Sequence, residues 1–212
     1  MPNANVKPAT KSVVDYIAEN ADALAGVCDS LFWFGEPAMQ EVRSAELLSG
    51  ILEDGGFSVE RGISGFPTGF MATYGSGEPV IAIHTEYDAA PNNSQKPGVA
   101  EHSAIIDGGP GHCEGHNVNG AVMIASAMAV RRAMEEHGLK GTLKVFGAPA
   151  EELVLARPYY VRDGYFDDVD VAFHPHLWDR FFTEYGVLQR AAVSAEFIFH
   201  GETAHAAMSP WD

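Results

Sequence analysis

Cysteine is nearly absent: Cys28 and Cys113 are the only two in 212 residues, too few for a disulfide scaffold. Positive charge is also scarce, with 13 Lys and Arg against 29 Asp and Glu and a formal net charge of −16. Such a surface repels phosphate backbones and anionic lipid, so neither nucleic acid nor a membrane is an expected partner. The longest nearly apolar run, residues 121–130, is about half the length that crosses a bilayer. The opening MPNANVKPATKS lacks the apolar stretch of a secretory signal, and a cytoplasmic protein is the expectation. What remains is a chain with 46% hydrophobic residues, enough to bury a substantial core. Histidine is the unusual component, and seven of the nine fall at His84, His102, His112, His116, His137, His174 and His176.

Apolar Val13, Val14, Ile17, Leu24 and Val27 share a helical face, with Thr10 or Ser12 as N-cap. A second helix is expected from about Pro37 to Glu53, stopped by Gly55 and Gly56. Short β-rich runs at residues 57–60, 70–74 and 80–84 predict strands. A long glycine- and proline-bearing loop over 89–115 precedes a small-residue helix over 119–136. Residues 142–147 and 168–173 predict two more strands, with APAEEL turning into a helix between them. Strands alternating with helices give an open, largely parallel α/β sheet, whose ligands sit at the carboxyl ends of the strands. From about Gly186 the character changes: residues 193–199 alternate as a strand, and TAHAAMSPWD reads as a helix opening.

Three expected strand ends run into His84 and Glu86, Glu151 and Glu152, and His174 and His176. The loop motif GHCEGHN adds Glu114 and His116, a carboxylate and an imidazole that can converge on one cation. Each pair alone also fits an ordinary solvated or helix-opening position, where acids are favourable anyway. Glu151 and Glu152 diverge from adjacent backbone positions, so one can bind metal while the other acts as general base. Together the clusters favour a metal site.

The segments HTEYDAAP, GHCEGHN, GTLKVFGAPAEE, DDVDVAFHPH and FHGETAHAAMSP, in this order, resemble the aminoacylase/carboxypeptidase-type metallohydrolases of peptidase family M-twenty, in the aminobenzoyl-glutamate hydrolase branch. The resemblance implies a zinc-peptidase-like α/β fold, a mixed sheet flanked by helices, interrupted by a smaller α+β lid that dimerises. It places a catalytic metal-binding domain at 1–186 and the beginning of the lid at 187–212. It implies Glu151 as general base, Glu152, His174 and His116 as metal ligands, and Asp88 as the carboxylate orienting a histidine ligand. His205 matches a lid histidine that stabilises the substrate's developing anion. The expected cofactor is one or two divalent transition ions, Mn, Zn or Co.

The departures from the family pattern carry expectations too. Glu114 stands where relatives have a bridging cysteine, with Cys113 one residue early; a carboxylate there makes the site harder, or leaves one metal bound. His84 with Glu86 is similar to the His-x-Asp ligand pair of other branches, and His176 is a further candidate. Leu153 and Val154 replace a glycine pair after PAEE. Relatives are longer and take a last histidine ligand from their carboxyl-terminal part, so a remainder of the polypeptide is expected to complete lid and site.

The common chemistry is hydrolytic C–N cleavage, with Glu151 activating water and returning the proton to the leaving nitrogen. The altered loop is also similar to that of aromatic aminohydrolases, and the overall resemblance, with no single decisive residue, makes conversion of 5-nitroanthranilate to 5-nitrosalicylate and ammonia the first reading. Hydrolysis of an N-acyl or N-aroyl amino acid such as p-aminobenzoyl-glutamate is the alternative, and a non-catalytic binding module of the same fold a third. Phe32, Trp33, Tyr159, Tyr160, Trp178, Phe181 and Phe182 are pocket candidates that fit the core equally well. Arg157, Arg190 and His205 are candidate cations for an anionic substrate.

Overall fold

The computed structural model describes residues 7–186, 193, 195–205, 207–209 and 211, and the chain divides into two compact units, Met1–Arg180 and Phe181–Asp212. The first unit opens with three helices, α1 (Pro8–Glu19), α2 (Ala21–Phe34) and α3 (Val42–Asp54). The single helix expected over the first stretch is broken at Asn20, which leaves the helical region at φ −110°, ψ 14° and donates its side-chain amide to Tyr16 O at 2.8 Å. Pro8 starts α1 at a position where its missing N–H costs nothing. Thr10 and Ser12 lie inside the helix, not at its cap. The helix expected from Pro37 begins only at Val42, because Met39 takes a left-handed conformation, φ 66°, that no α-helix accommodates.

A five-stranded sheet follows: β1 (Ser58–Arg61), β2 (Phe70–Ser76), β3 (Val80–Thr85), β4 (Gly141–Gly147) and β5 (Val171–Phe173). Its order is β1-β2-β4-β3-β5. Strands β1, β2 and β4 pair antiparallel, whereas β3 is parallel to both β4 and β5. The sheet is therefore mixed, not largely parallel. The connection from β1 to β2 is too short for a crossover and enforces the antiparallel turn. Between β3 and β4 lie the 89–115 loop and α4 (His116–His137), which starts three residues before the expected Asn119; α5 (Arg157–Arg162) lies between β4 and β5.

The two faces of the sheet bury separate cores, as a period of two requires. Phe70, Ala72, Ile83, Leu143 and Val145 pack with Leu31, Leu48, Leu52, Met123 and Ile124 of the helices. On the other face Ala82 and Phe146 pack with Ile63, Phe66, Ala156 and Tyr160. Gly115 precedes α4 in a left-handed conformation, φ 79°. A Cβ there would also fall 2.1 Å from Leu177 Cδ1, so both backbone and space demand glycine.

In the second unit the described residues among 193–199 form no strand. The expected helix opening is a turn, with Met208 and Ser209 N–H donating to His205 O at 2.8 and 3.0 Å. The expectations for 187–192, 194, 206, 210 and 212 lie outside the described residues. Among the described residues no helix is long and apolar enough to cross a membrane.

Candidate metal centre

Three parallel strands, β4, β3 and β5 in spatial order, end at one edge of the sheet, and the first turn of α4 meets them there. His116, 1% exposed, anchors the site. Its Nδ1 lies 2.9 Å from Asp88 O and 3.2 Å from Asp88 Oδ1, so that nitrogen carries the proton. Its Nε2 is buried and has no hydrogen-bond partner, with Glu151 Oε2 3.8 Å away. Burial opposes protonation of this imidazole, but the contacts with Asp88 outweigh it and raise its pKa. The same contacts make Nε2 a better donor to a cation.

Ligand atoms of Glu114, His116 and Glu152 lie within 4.8 Å of one another, as do those of Glu86, His116 and His176. Burial, followed by the Glu114 carboxylate, pushes Glu152 up. Carboxylates crowded around an orphaned, buried imidazole nitrogen are the environment a divalent ion relieves. The residues present, an oxygen-rich donor set with one imidazole, thus fit a divalent metal ion.

The loop bearing Glu151 and Glu152 is held by two buried carboxylates. Asp88 Oδ2 accepts the Glu152 N–H at 3.0 Å, and Glu41 Oε1 accepts the Ala150 N–H at 2.8 Å. Ala150, Val154 and Ala156 all have positive φ, 57°, 55° and 52°, strain of about 1–3 kcal/mol each that surrounding contacts must hold in place. The turn Glu151–Leu153 between them fixes where the two glutamates point.

His174 lies outside both donor groups. Its Nε2 sits 2.9 Å from Glu86 Oε2, and its ring stacks on His84 at 4.7 Å. His84 Nδ1 accepts from Arg157 Nε at 3.1 Å, which turns it from a metal to a guanidinium. Burial, then Arg157, holds both imidazoles neutral, His84 at about 3 and His174 at about 4. Glu86, with no exposed surface, also accepts from Asn119 Nδ2 at 2.6 Å and pairs with Arg157. Arg157 is therefore committed to Glu86 and is not offered to a substrate, contrary to the expectation from sequence; Arg190 lies outside the described residues. Neither donor group contains a cysteine, and Cys113 is exposed beside them. His205 belongs to the second unit, where its Nδ1 accepts the Ala207 N–H at 3.2 Å.

Beside Glu114 and His176 opens a hollow of about 580 Å³, lined also by Phe32, Cys113, Leu177 and Trp178. Of the aromatic candidates in the first unit, only Phe32 and Trp178 line it. Tyr160 is core, donating to Gly147 O at 2.9 Å, Trp33 is 60% exposed, and Tyr159 packs on Phe66. No sequence pattern points to Glu41, Asn119 or the Arg157–Glu86 pair. A buried acid held by partners distant in sequence has no periodicity to betray it.

No family model matches the chain. It is 37% identical over 198 residues to one of the subunits of p-aminobenzoyl-glutamate hydrolase of Escherichia coli, a match that covers 92% of this chain and 40% of that protein. It is 29% identical to IAA-amino acid hydrolase ILR1-like 6 of Arabidopsis thaliana, over 67% of this chain and 29% of that one. The chain thus spans well under half the length of these curated relatives. Among solved structures, the YXEP protein of Bacillus subtilis, described as a dinuclear metal-binding peptidase of the M-twenty family, superposes with a TM-score of 0.62 at 26% identity, over 73% of this chain and 42% of that one. By sequence and fold together, the chain belongs to peptidase family M-twenty.

Proposed function

We propose that the protein carrying this chain is a metal-dependent amidohydrolase that cleaves an N-acyl or N-aroyl amino acid. The observation that carries the reading is the grouping of Glu114 and Glu152 with buried His116, whose Nε2 has no hydrogen-bond partner and has Glu151 beside it. In this reading His116, Glu152 and Glu114 hold the ion. When bound, the ion supplies Lewis-acid polarisation of the scissile carbonyl and of water. Asp88 keeps the His116 proton on Nδ1, so that Nε2 presents its lone pair. Glu151 takes the proton of the attacking water and returns it to the leaving nitrogen, which avoids expelling an amide anion. Phe32 and Trp178 flank the hollow where the acyl or aroyl group would lie. Stabilisation of the developing anion by His205, assembly through a lid begun at 187–212, and a cytoplasmic location complete the proposal.

Support for an amide substrate comes from the relatives, whose names describe hydrolases of aminobenzoyl-glutamate and of an IAA-amino acid. Displacement of ammonia from 5-nitroanthranilate is the narrower alternative, and neither of these relatives is named for it. One assay separates the two. The full-length protein, loaded with Mn²⁺ or Zn²⁺, is given p-aminobenzoyl-glutamate and 5-nitroanthranilate in parallel. Release of glutamate supports the amidohydrolase; nitrosalicylate with ammonia would replace it by ring substitution. Glu151→Gln is expected to lower turnover by about 10²–10⁴-fold while bound metal persists. Unchanged turnover in that variant would remove Glu151 as the base, whereas no turnover of either substrate by the metal-loaded wild type would leave a binding module as the better description.

A further inference from the structure

We propose that the Arg157 guanidinium takes the place of a second metal ion, so that the centre holds one ion per chain, at Glu114, His116 and Glu152. The inference rests on the metal-dependent reading above and concerns how many ions that site accepts. It contrasts with the dinuclear description of the Bacillus subtilis relative.

The two donor groups, Glu114–His116–Glu152 and Glu86–His116–His176, share one imidazole. His116 Nδ1 is committed to Asp88, leaving only the Nε2 lone pair, and one lone pair serves one ion. Among the described residues, a second ion would have to be built without His116, from Glu86 with His174 and His176. That space already contains a cation. Arg157 pairs with Glu86 Oε2, its Nε donates to His84 Nδ1 at 3.1 Å, and its Nη2 lies 3.3 Å from His174 Nε2. Two groups of the kind that ligate metals, the Glu86 carboxylate and the His84 imidazole, thus turn toward a guanidinium, and His174 Nε2 faces Glu86 at 2.9 Å beside it.

Arg157 is well suited to hold that place. It stays charged at any working pH, and its planar fork engages a carboxylate and a ring nitrogen together. Its position is fixed by its neighbour Ala156, fully buried with φ 52° and packed in the second core with Phe146 and Tyr160. A buried carboxylate needs a partner charge, and Glu86 has a permanent one that does not exchange with solvent. A divalent ion entering beside Glu86 would meet this fixed positive charge at contact distance.

The test is metal counting on the full-length protein, stripped, reloaded with excess Mn²⁺, desalted and analysed by plasma mass spectrometry, with electron paramagnetic resonance of the bound Mn²⁺. One ion per chain and an uncoupled six-line spectrum are expected for the wild type and for Arg157→Lys, which keeps the charge. Arg157→Met and Arg157→Ala are expected to take up a second ion and show the exchange-coupled spectrum of a close pair. Two coupled ions in the wild type would overturn the proposal, as would a single ion in folded Arg157→Met and Arg157→Ala. Should neither neutral variant fold, the spectra of wild type and Arg157→Lys still decide, because coupling in either refutes it. No bound ion at all would sink the amidohydrolase reading and this inference together, a result distinguishable from two.

Discussion

Glu41 offers the sharpest test of how the loop bearing Glu151 and Glu152 is held. Its side chain is fully buried, and it accepts three hydrogen bonds: Met39 N–H and Ala150 N–H at Oε1, 3.0 and 2.8 Å, and Thr68 Oγ1 at Oε2, 3.0 Å. Glu41→Ala removes all three acceptors. Thr68 can rotate its hydroxyl, but the buried Ala150 N–H cannot turn away, and an orphaned buried donor costs about 1–3 kcal/mol. With the half-buried Met39 amide and the void left behind, the total comes to about 3–5 kcal/mol. Glu41→Gln behaves differently. Its amide oxygen at the Oε1 position keeps both N–H donors, and its NH₂ can donate to Thr68. Burial raises the pKa of Glu41, so the fold favours the uncharged form. The stability associated with a protonated Glu41 is fully present below the ordinary glutamate value and is lost as pH rises through its own raised value. Glu41→Gln should therefore be as stable as wild type at pH 7 or more so, and the advantage should shrink in acid. Urea unfolding midpoints at two pH values read both effects. A cost under about 1 kcal/mol for Glu41→Ala, or equal damage from both variants, would refute the clamp.

Two further expectations are simpler. A Cβ at Gly111 would lie 2.0 Å from Asn93 O, so Gly111→Ala must shift backbone just before the loop that carries Glu114 and His116; a loss of about 1–3 kcal/mol and weaker metal binding are expected, and an unchanged urea midpoint and metal affinity would contradict the packing. Because the chain carries a formal net charge of −16 and the proposed substrate, an N-acyl amino acid, is an anion, kcat/KM should rise as salt screens their repulsion; a fall with salt would contradict repulsion by this chain as the controlling field.

Much of the candidate site is legible in the sequence because strand ends and glycine-flanked loops leave local signatures. Glu151 and Glu152 follow a buried apolar run, and His116 follows a glycine whose left-handed conformation starts a helix. What escapes is everything decided at long range. Glu41 matters because Ala150, distant in sequence, donates to it, and no pattern within AMQEV encodes that. The different placements of His174 and His176 escape as well. Strand β5 ends at Phe173, beyond which alternation no longer fixes a side chain's direction. Arg157 reads as a cation for substrate, since a sequence shows a charge but not the buried Glu86 that claims it. The break at Asn20 and the late start of α3 are hidden for a related reason. A left-handed Met39 is imposed in part by Glu41, which accepts its N–H, and not by the propensity of methionine.

Sheet order explains why these groups meet as they do. Strands β3 and β4 are parallel and in register from Val80–Thr142 to Thr85–Gly147, and β5 joins the far side of β3. The middle strand therefore delivers its exit residues between the other two. Glu86, just past β3, reaches His174 past β5 and Arg157 past β4. Asp88, two residues on, lies where it accepts from Glu152 and fixes His116. Successive carboxylates of TEYD thus face different partners, one neutralised by a guanidinium and one orienting an imidazole. Had β3 been an edge strand, a single acid could not have bridged both neighbours, and the charge of Glu86 would have needed an exchangeable ion instead of Arg157.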